Sequence, residues 1–152
     1  MSTALRHALV DAARAQIGTK WQHQGRTPGV ALDCVGLLIV AARATGVDTS
    51  GYERDIPNYS TLPTLRGLPK FFAAHLRQVR REDVSVGDVT LMTYQGFPMH
   101  CGIVTDWRHH GGEGAPFGLI HTWTAVRCVT EHEIADINRF SAHSFWCLPE
   151  ID

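Results

Sequence analysis

Residues 31–37 read "ALDCVGL", placing an acidic residue and a cysteine at the head of an apolar run. A cysteine attacks only as its thiolate. The first turn of a helix, where unpaired N–H groups and the positive end of the dipole converge, lowers a thiol pKa. Asp33 is a favoured N-cap residue and Gly46 a favoured C-terminal stop, so the segment from Leu32 to Gly46 predicts a helix with Cys34 in its first turn. Leu37, Leu38, Ile39, Val40, Ala41 and Ala42 leave almost no polar face, which predicts burial nearly all round. The same residues also fit a small core cysteine with no chemistry.

A thiol nucleophile needs a base, and the chain has nine histidines. His7 and His75 fall in amphipathic stretches, and His109 and His110 in the turn "RHHGGEG". His132 and His143 lie in polar segments, where an exposed histidine is ordinary. His100 opens "HCGIVTD" and His121 sits in "LIHTW". Both segments read as strands, and Gly102 shares a face with His100 by the period-two rule, leaving room for a close approach by a helix or a substrate. Paired as a hairpin across the loop from Asp106 to Gly118, the two strands can turn both imidazoles toward Cys34. His100 is then the base and His121 the group that fixes its tautomer. The alternative is two histidines at a sheet edge with no shared partner.

Several elements must position these residues. Leu5, Ala8, Leu9, Ala12 and Ala13 recur at helical spacing, predicting an amphipathic helix over Ala4–Ile17 that ends at Gly18. Residues 19–31, "TKWQHQGRTPGVA", read as a loop leading to the buried helix, and residues 47–63 as a long surface loop. A second amphipathic helix is predicted over Leu65–Val79, with Phe72, Leu76 and Val79 on its buried side. After Gly87, "DVTLMTY", "MHCGIVTDW", "GLIHTW", "VRCVTE" and "SFWCL" are short segments rich in β-branched and aromatic residues. Helices first and strands later predict an α+β domain, the buried helix packed on a small antiparallel sheet.

The 152 residues, 44% hydrophobic and 19% charged, suit a single domain over 1–152. With 14 basic and 15 acidic side chains the net charge is −1, so nothing electrostatic favours nucleic acid or an anionic membrane. Arg6, Asp11 and Arg14 interrupt the N-terminal stretch where a signal peptide would be apolar, and no segment approaches a membrane span. The expectation is synthesis in the cytoplasm, without membrane insertion. Cys34, Cys101, Cys128 and Cys147 form no C-x-x-C pair and are expected to be reduced. A zinc site drawn from Cys101, Cys128, His109, His110 or His132 lacks the usual close ligand spacing, so no metal site is expected.

The order of motifs resembles the NlpC/p60 family of cysteine peptidases, which cleave the peptide stems of bacterial peptidoglycan. "AQIGTKW" at 15–21 is similar to the family's helix end and following loop, "LDCVGL" at 32–37 to its aspartate–cysteine motif, and "VGDVTLM" at 86–92 to its glycine–aspartate strand opening. "HCGIVTD" at 100–106 resembles the base-histidine motif and "LIHTW" at 119–123 the strand of the third catalytic residue. The resemblance covers nearly the whole chain. It implies the papain-like NlpC/p60 fold, with Cys34 as nucleophile, His100 as base, His121 as third member and no cofactor. Its substrate would be the stem peptide, cut after D-glutamate, with Trp21, His23 and Asp33 as candidate substrate contacts. Asp33 fits a plain N-cap equally well.

Residues 23–37, "HQGRTPGVALDCVGL", look most like the branch carried by tailed bacteriophages and gene-transfer particles. That branch implies tail proteins as partners and a particle that carries the enzyme from the cytoplasm to the wall. The competing reading is a non-catalytic structural or assembly component of a phage tail that keeps the fold. Three residues depart from the family pattern. Trp21 replaces a frequent tyrosine, so an indole N–H donates where a hydroxyl would also accept. Gln24 and Gly25 replace a glycine pair. Val35 replaces a common serine whose hydroxyl helps hold a free substrate amine, which leans toward endopeptidase action.

Overall fold

The computed structural model describes residues 3–56, 67–94, 96–107 and 116–152. Helix α1 spans Thr3–Arg14, and the turn after it reaches Gly18, whose φ of +89° favours glycine. Strands β1 (Lys20–Trp21), β2 (Arg26–Thr27) and β3 (Ala31–Leu32) follow, then helix α2 over Cys34–Ala44. Helices α3 (Ser50–Asp55) and α4 (Leu68–His75) precede strands β4 (Arg77–Val79), β5 (Val89–Tyr94), β6 (Phe97–Thr105), β7 (Phe117–Trp123), β8 (Cys128–Ile134) and β9 (Ala142–Cys147). The nine strands form one sheet in the order β2-β3-β1-β8-β7-β6-β5-β9-β4, antiparallel throughout except between β1 and β3.

The sheet is covered by helices on one face. Val89, Leu91, Cys101, Ile103, Ile120, Val129 and Trp146 pack against α1 and α2 there. Every residue of α2 from Cys34 to Ala42 is buried, as its lack of a polar face predicts. The strand alternation sends Met92, Val104, Leu119 and Phe145 to a second, smaller cluster on the other face. The expected α+β domain with its buried helix on the sheet is therefore observed.

Three local expectations are corrected. The helix predicted over Leu65–Val79 is α4 over Leu68–His75 only, Leu65 and Arg66 lying outside the described residues. Leu76 is extended, and Arg77–Val79 pair with Cys147, Trp146 and Phe145 of β9. Ladder hydrogen bonds to an otherwise open edge outweigh a weak helical pattern there. The loop predicted over residues 47–63 contains α3, anchored by buried Tyr52, whose hydroxyl donates to Glu150 at 2.9 Å. Residues 57–63 lie outside the described residues. The loop over residues 19–31 carries β1, β2 and the start of β3, which extend the sheet beyond β8.

Candidate active site

Asp33 caps α2 and organises the loop in front of it. Its Oδ1 accepts from the Gly36 N–H at 2.7 Å and from Arg26 Nη1 at 2.6 Å, and its Oδ2 accepts from the Gln24 N–H at 3.0 Å. The carboxylate is almost fully buried, and Arg26 matches its charge inside the protein. Gln24 takes φ +60°, the left-handed conformation that a glycine would adopt more cheaply. Gly25 then places its carbonyl over the first turn of α2, where a Cβ on Gly36 would come within 2.0 Å of it. The backbone N–H of Trp21 donates to the Arg127 carbonyl at 2.9 Å, tying this loop to the turn between β7 and β8. Trp21 and His23 are half-buried, and Trp21 pairs with Leu32 of β3 just ahead of α2.

Cys34 is 6% exposed and interacts with two consecutive residues of β6, Cys101 and His100. Successive strand residues ordinarily point to opposite faces. Here Met99 is an extra residue in β6, since Met92 pairs with His100 while Thr93 pairs with Pro98, and a bulge of this kind re-aims the side chain beside it. The Cys34 thiol is held well below the ordinary cysteine value. Hydrogen bonding with Cys101 is the largest cause, His100 adds a hydrogen bond and its charge, and burial opposes both. Cys101 moves the other way, well above the ordinary value, because Cys34 takes its hydrogen bond and burial penalises a second thiolate. The two shifts run in opposite directions, so Cys34 is the thiol of the pair that ionises first. All four cysteines are free thiols.

The register of β6 against β7 runs Thr105–Gly118, Val104–Leu119 and Ile103–Ile120, so its next step sets Gly102 opposite His121. A Cβ on Gly102 would stand 2.8 Å from Leu119 Cδ1 and 3.1 Å from His121 Cβ. The space at Gly102, expected to admit a helix or a substrate, is filled by these cross-strand neighbours. His121 leans over it to His100, with Nδ1 2.8 Å from His100 Nε2. Burial is the main cause that pushes the His121 pKa down to about 3, and nearby His100 and His132 add to it, so the ring is neutral at pH 7. Trp123, 45% exposed, stacks on His121 with centroids 6.0 Å apart and planes 21° from parallel.

The structure thus brings Cys34, His100 and His121 into one chain of contacts. It adds a residue that sequence reasoning set aside. His132 is half-buried, its Nε2 lies 3.0 Å from His121 Nε2, and its Nδ1 lies 3.0 Å from the Glu133 carbonyl oxygen. Its signal was the register of β8: Thr130 pairs with His121 and His132 with Leu119, which sets two histidines diagonally on one face. Three further described histidines lie apart from this line: His7 beside Asp106, His75 on Asp55, and His143 on Ser144. His109 and His110 lie outside the described residues. Of the residues weighed and disfavoured as zinc ligands, Cys101 is engaged with Cys34 and His132 with His121.

No sequence-family model and no curated protein sequence matches this chain. Solved structures do. A lipoprotein-like protein of the NLP/P60 family from Staphylococcus aureus superposes with a TM-score of 0.63 at 14% identity, over 97% of this chain and 42% of that one. The NlpC/p60 domain of the peptidoglycan hydrolase SagA gives a TM-score of 0.57 at 21% identity, over 94% of this chain and 98% of that one. RipD from Mycobacterium tuberculosis, a non-catalytic NlpC/p60 domain protein adapted to peptidoglycan binding, gives 0.58 at 12% identity over 97% and 98%. The chain spans less than half the length of several longer proteins that it matches. At these identities the likeness is one of fold: this chain has the papain-like α+β fold of NlpC/p60 domains.

Proposed function

We propose that this chain is a cysteine peptidase that hydrolyses amide bonds in the peptide stems of peptidoglycan. The observation that carries the reading is the contact of a low-pKa thiol, Cys34, with His100, itself hydrogen-bonded to a neutral His121 at 2.8 Å. A decayed site has no reason to keep a buried thiol of lowered pKa beside a base and its orienting partner. The fold shared with the peptidoglycan hydrolase SagA supports the substrate class.

In this reading the Cys34 sulfur attacks the scissile carbonyl carbon, and its electron pair forms the C–S bond while the carbonyl π pair moves to oxygen. The backbone N–H of Cys34, at the end of α2 where no intrahelical acceptor exists, faces that oxyanion, with the 21–23 loop as the second wall. Collapse breaks the C–N bond, and the amine leaves with the proton held on His100. Water, deprotonated by His100, then hydrolyses the thioester and restores the thiol. Trp21 and His23 line the substrate side. Asp33, matched by Arg26, shapes the loop and caps the helix, and that pairing favours the capping role over contact with a substrate cation.

The finer reading is endopeptidase action after D-glutamate, supported by Val35, which offers no hydroxyl for a free amine. The resemblance of residues 23–37 to the phage and gene-transfer branch supports delivery from the cytoplasm in a tail, docked on tail proteins. Digestion of purified stem peptides, with products resolved by mass, tests the chemistry and names the bond. Folded protein that binds peptidoglycan without cutting it would move the chain to the non-catalytic class that RipD represents. Particles that assemble normally and lose wall digestion when the chain is deleted would support delivery in a tail. Particles that fail to assemble would support the structural role instead.

A further inference from the structure

From the hydrogen-bond geometry we infer that His132 is a positioning residue that fixes which ring nitrogen of His100 is free to accept the Cys34 proton, acting through His121. The inference rests on the cysteine-peptidase reading for its purpose but on geometry for its content. The Glu133 carbonyl oxygen, 3.0 Å from His132 Nδ1, can only accept, so Nδ1 carries the hydrogen. A neutral His132 then presents a lone pair at Nε2. His121 Nε2, 3.0 Å away, must donate to it. A neutral His121 in turn presents a lone pair at Nδ1, and His100 Nε2, 2.8 Å away, must donate to that. The nitrogen left on His100 for its hydrogen bond with Cys34 is Nδ1.

A single backbone carbonyl therefore sets the direction of both ring-to-ring hydrogen bonds, His121 to His132 and His100 to His121. The direction survives catalysis. When His100 Nδ1 takes the Cys34 proton, its Nε2–H still donates to His121, so no ring has to turn over. Without an acceptor at position 132, His121 is free to protonate Nδ1 instead. That form cannot accept from His100 Nε2–H, and it favours the His100 tautomer whose Nδ1 already bears hydrogen. Burial of His121 and the Trp123 ring stacked over it keep bulk water from supplying the missing acceptor.

The test needs no substrate. Nitrogen-15 spectra of histidine-labelled protein at pH 7.5 read the tautomers directly, and the expected result is His121 protonated at Nε2 and His132 at Nδ1. The opposite assignment on either ring overturns the inference. His132→Phe removes the acceptor, and His132→Gln restores one near the position of Nε2. Expected are mixed tautomers at His121 in the Phe variant and a Cys34 alkylation rate lowered about tenfold near neutral pH, with most of both recovered in the Gln variant. Equal losses in the two variants, or no change in either, with thermal unfolding showing both folded, would also overturn it. Because alkylation and spectra do not depend on peptide cleavage, a wild-type protein with these tautomers but no hydrolysis would count against the peptidase reading alone.

Discussion

The carbonyl oxygen of Gly25 lies where a Cβ on Gly36 would have to go, 2.0 Å from that position. The loop that walls the site is thus laid directly on the first turn of the helix that carries Cys34. Gly36→Ala must push the two apart. The expected cost is about 1–3 kcal/mol of stability from overpacking, read by denaturant unfolding, with a fall in thiol reactivity as the Asp33 cap is displaced.

Hydrogen bonding with Cys101 is the largest cause that lowers the Cys34 pKa. Cys101→Ala removes that partner and Cys101→Ser keeps one. The rate of Cys34 alkylation followed against pH should rise through a higher inflection in the Ala variant than in wild type, with the Ser variant between them. Superimposable curves would remove Cys101 from the account.

His121 is neutral when folded, with its pKa lowered from 6.5 to about 3 by burial first and by His100 and His132 after it. Between these values the unfolded chain binds the proton and the folded one does not. The contribution of this group is therefore fully present above pH 6.5 and is lost as pH falls toward about 3. Unfolding free energy measured across this window should fall less steeply in His121→Gln than in wild type.

Arg6 on α1 bonds Asp88 at 2.7 Å, and the two side chains are 7% and 1% exposed. Burial raises the Asp88 pKa even with that partner, so the carboxylate depends on the guanidinium. Arg6→Ala should cost about 3–5 kcal/mol by stranding a buried charge, and Asp88→Asn on that background should return part of it. A loss no larger than that of a surface substitution would contradict the pairing.

Much of this site was legible because its signals are local. An aspartate cap before an apolar run announces Cys34, and alternation on two neighbouring strands brings His100 and His121 to one side. The remainder depends on contacts distant in sequence. The Tyr52 anchor of α3 is Glu150, 98 residues away, so the surrounding segment reads as loop. Arg77–Val79 become a strand only because β9 offers an edge. His132 lies in the polar run "TEHE", and the register that turns it toward His121 is set by the pairing of β8 with β7. The space at Gly102 is legible as space, but only the structure shows that Leu119 and His121 fill it.

The most direct measurement is the rate of stem-peptide hydrolysis by the wild-type protein and by Cys34→Ala, both shown to be folded. The account predicts cleavage by the first and a loss of about a thousandfold or more in the second, since the acyl-enzyme cannot form without the sulfur. Hydrolysis at an undiminished rate in Cys34→Ala would contradict it.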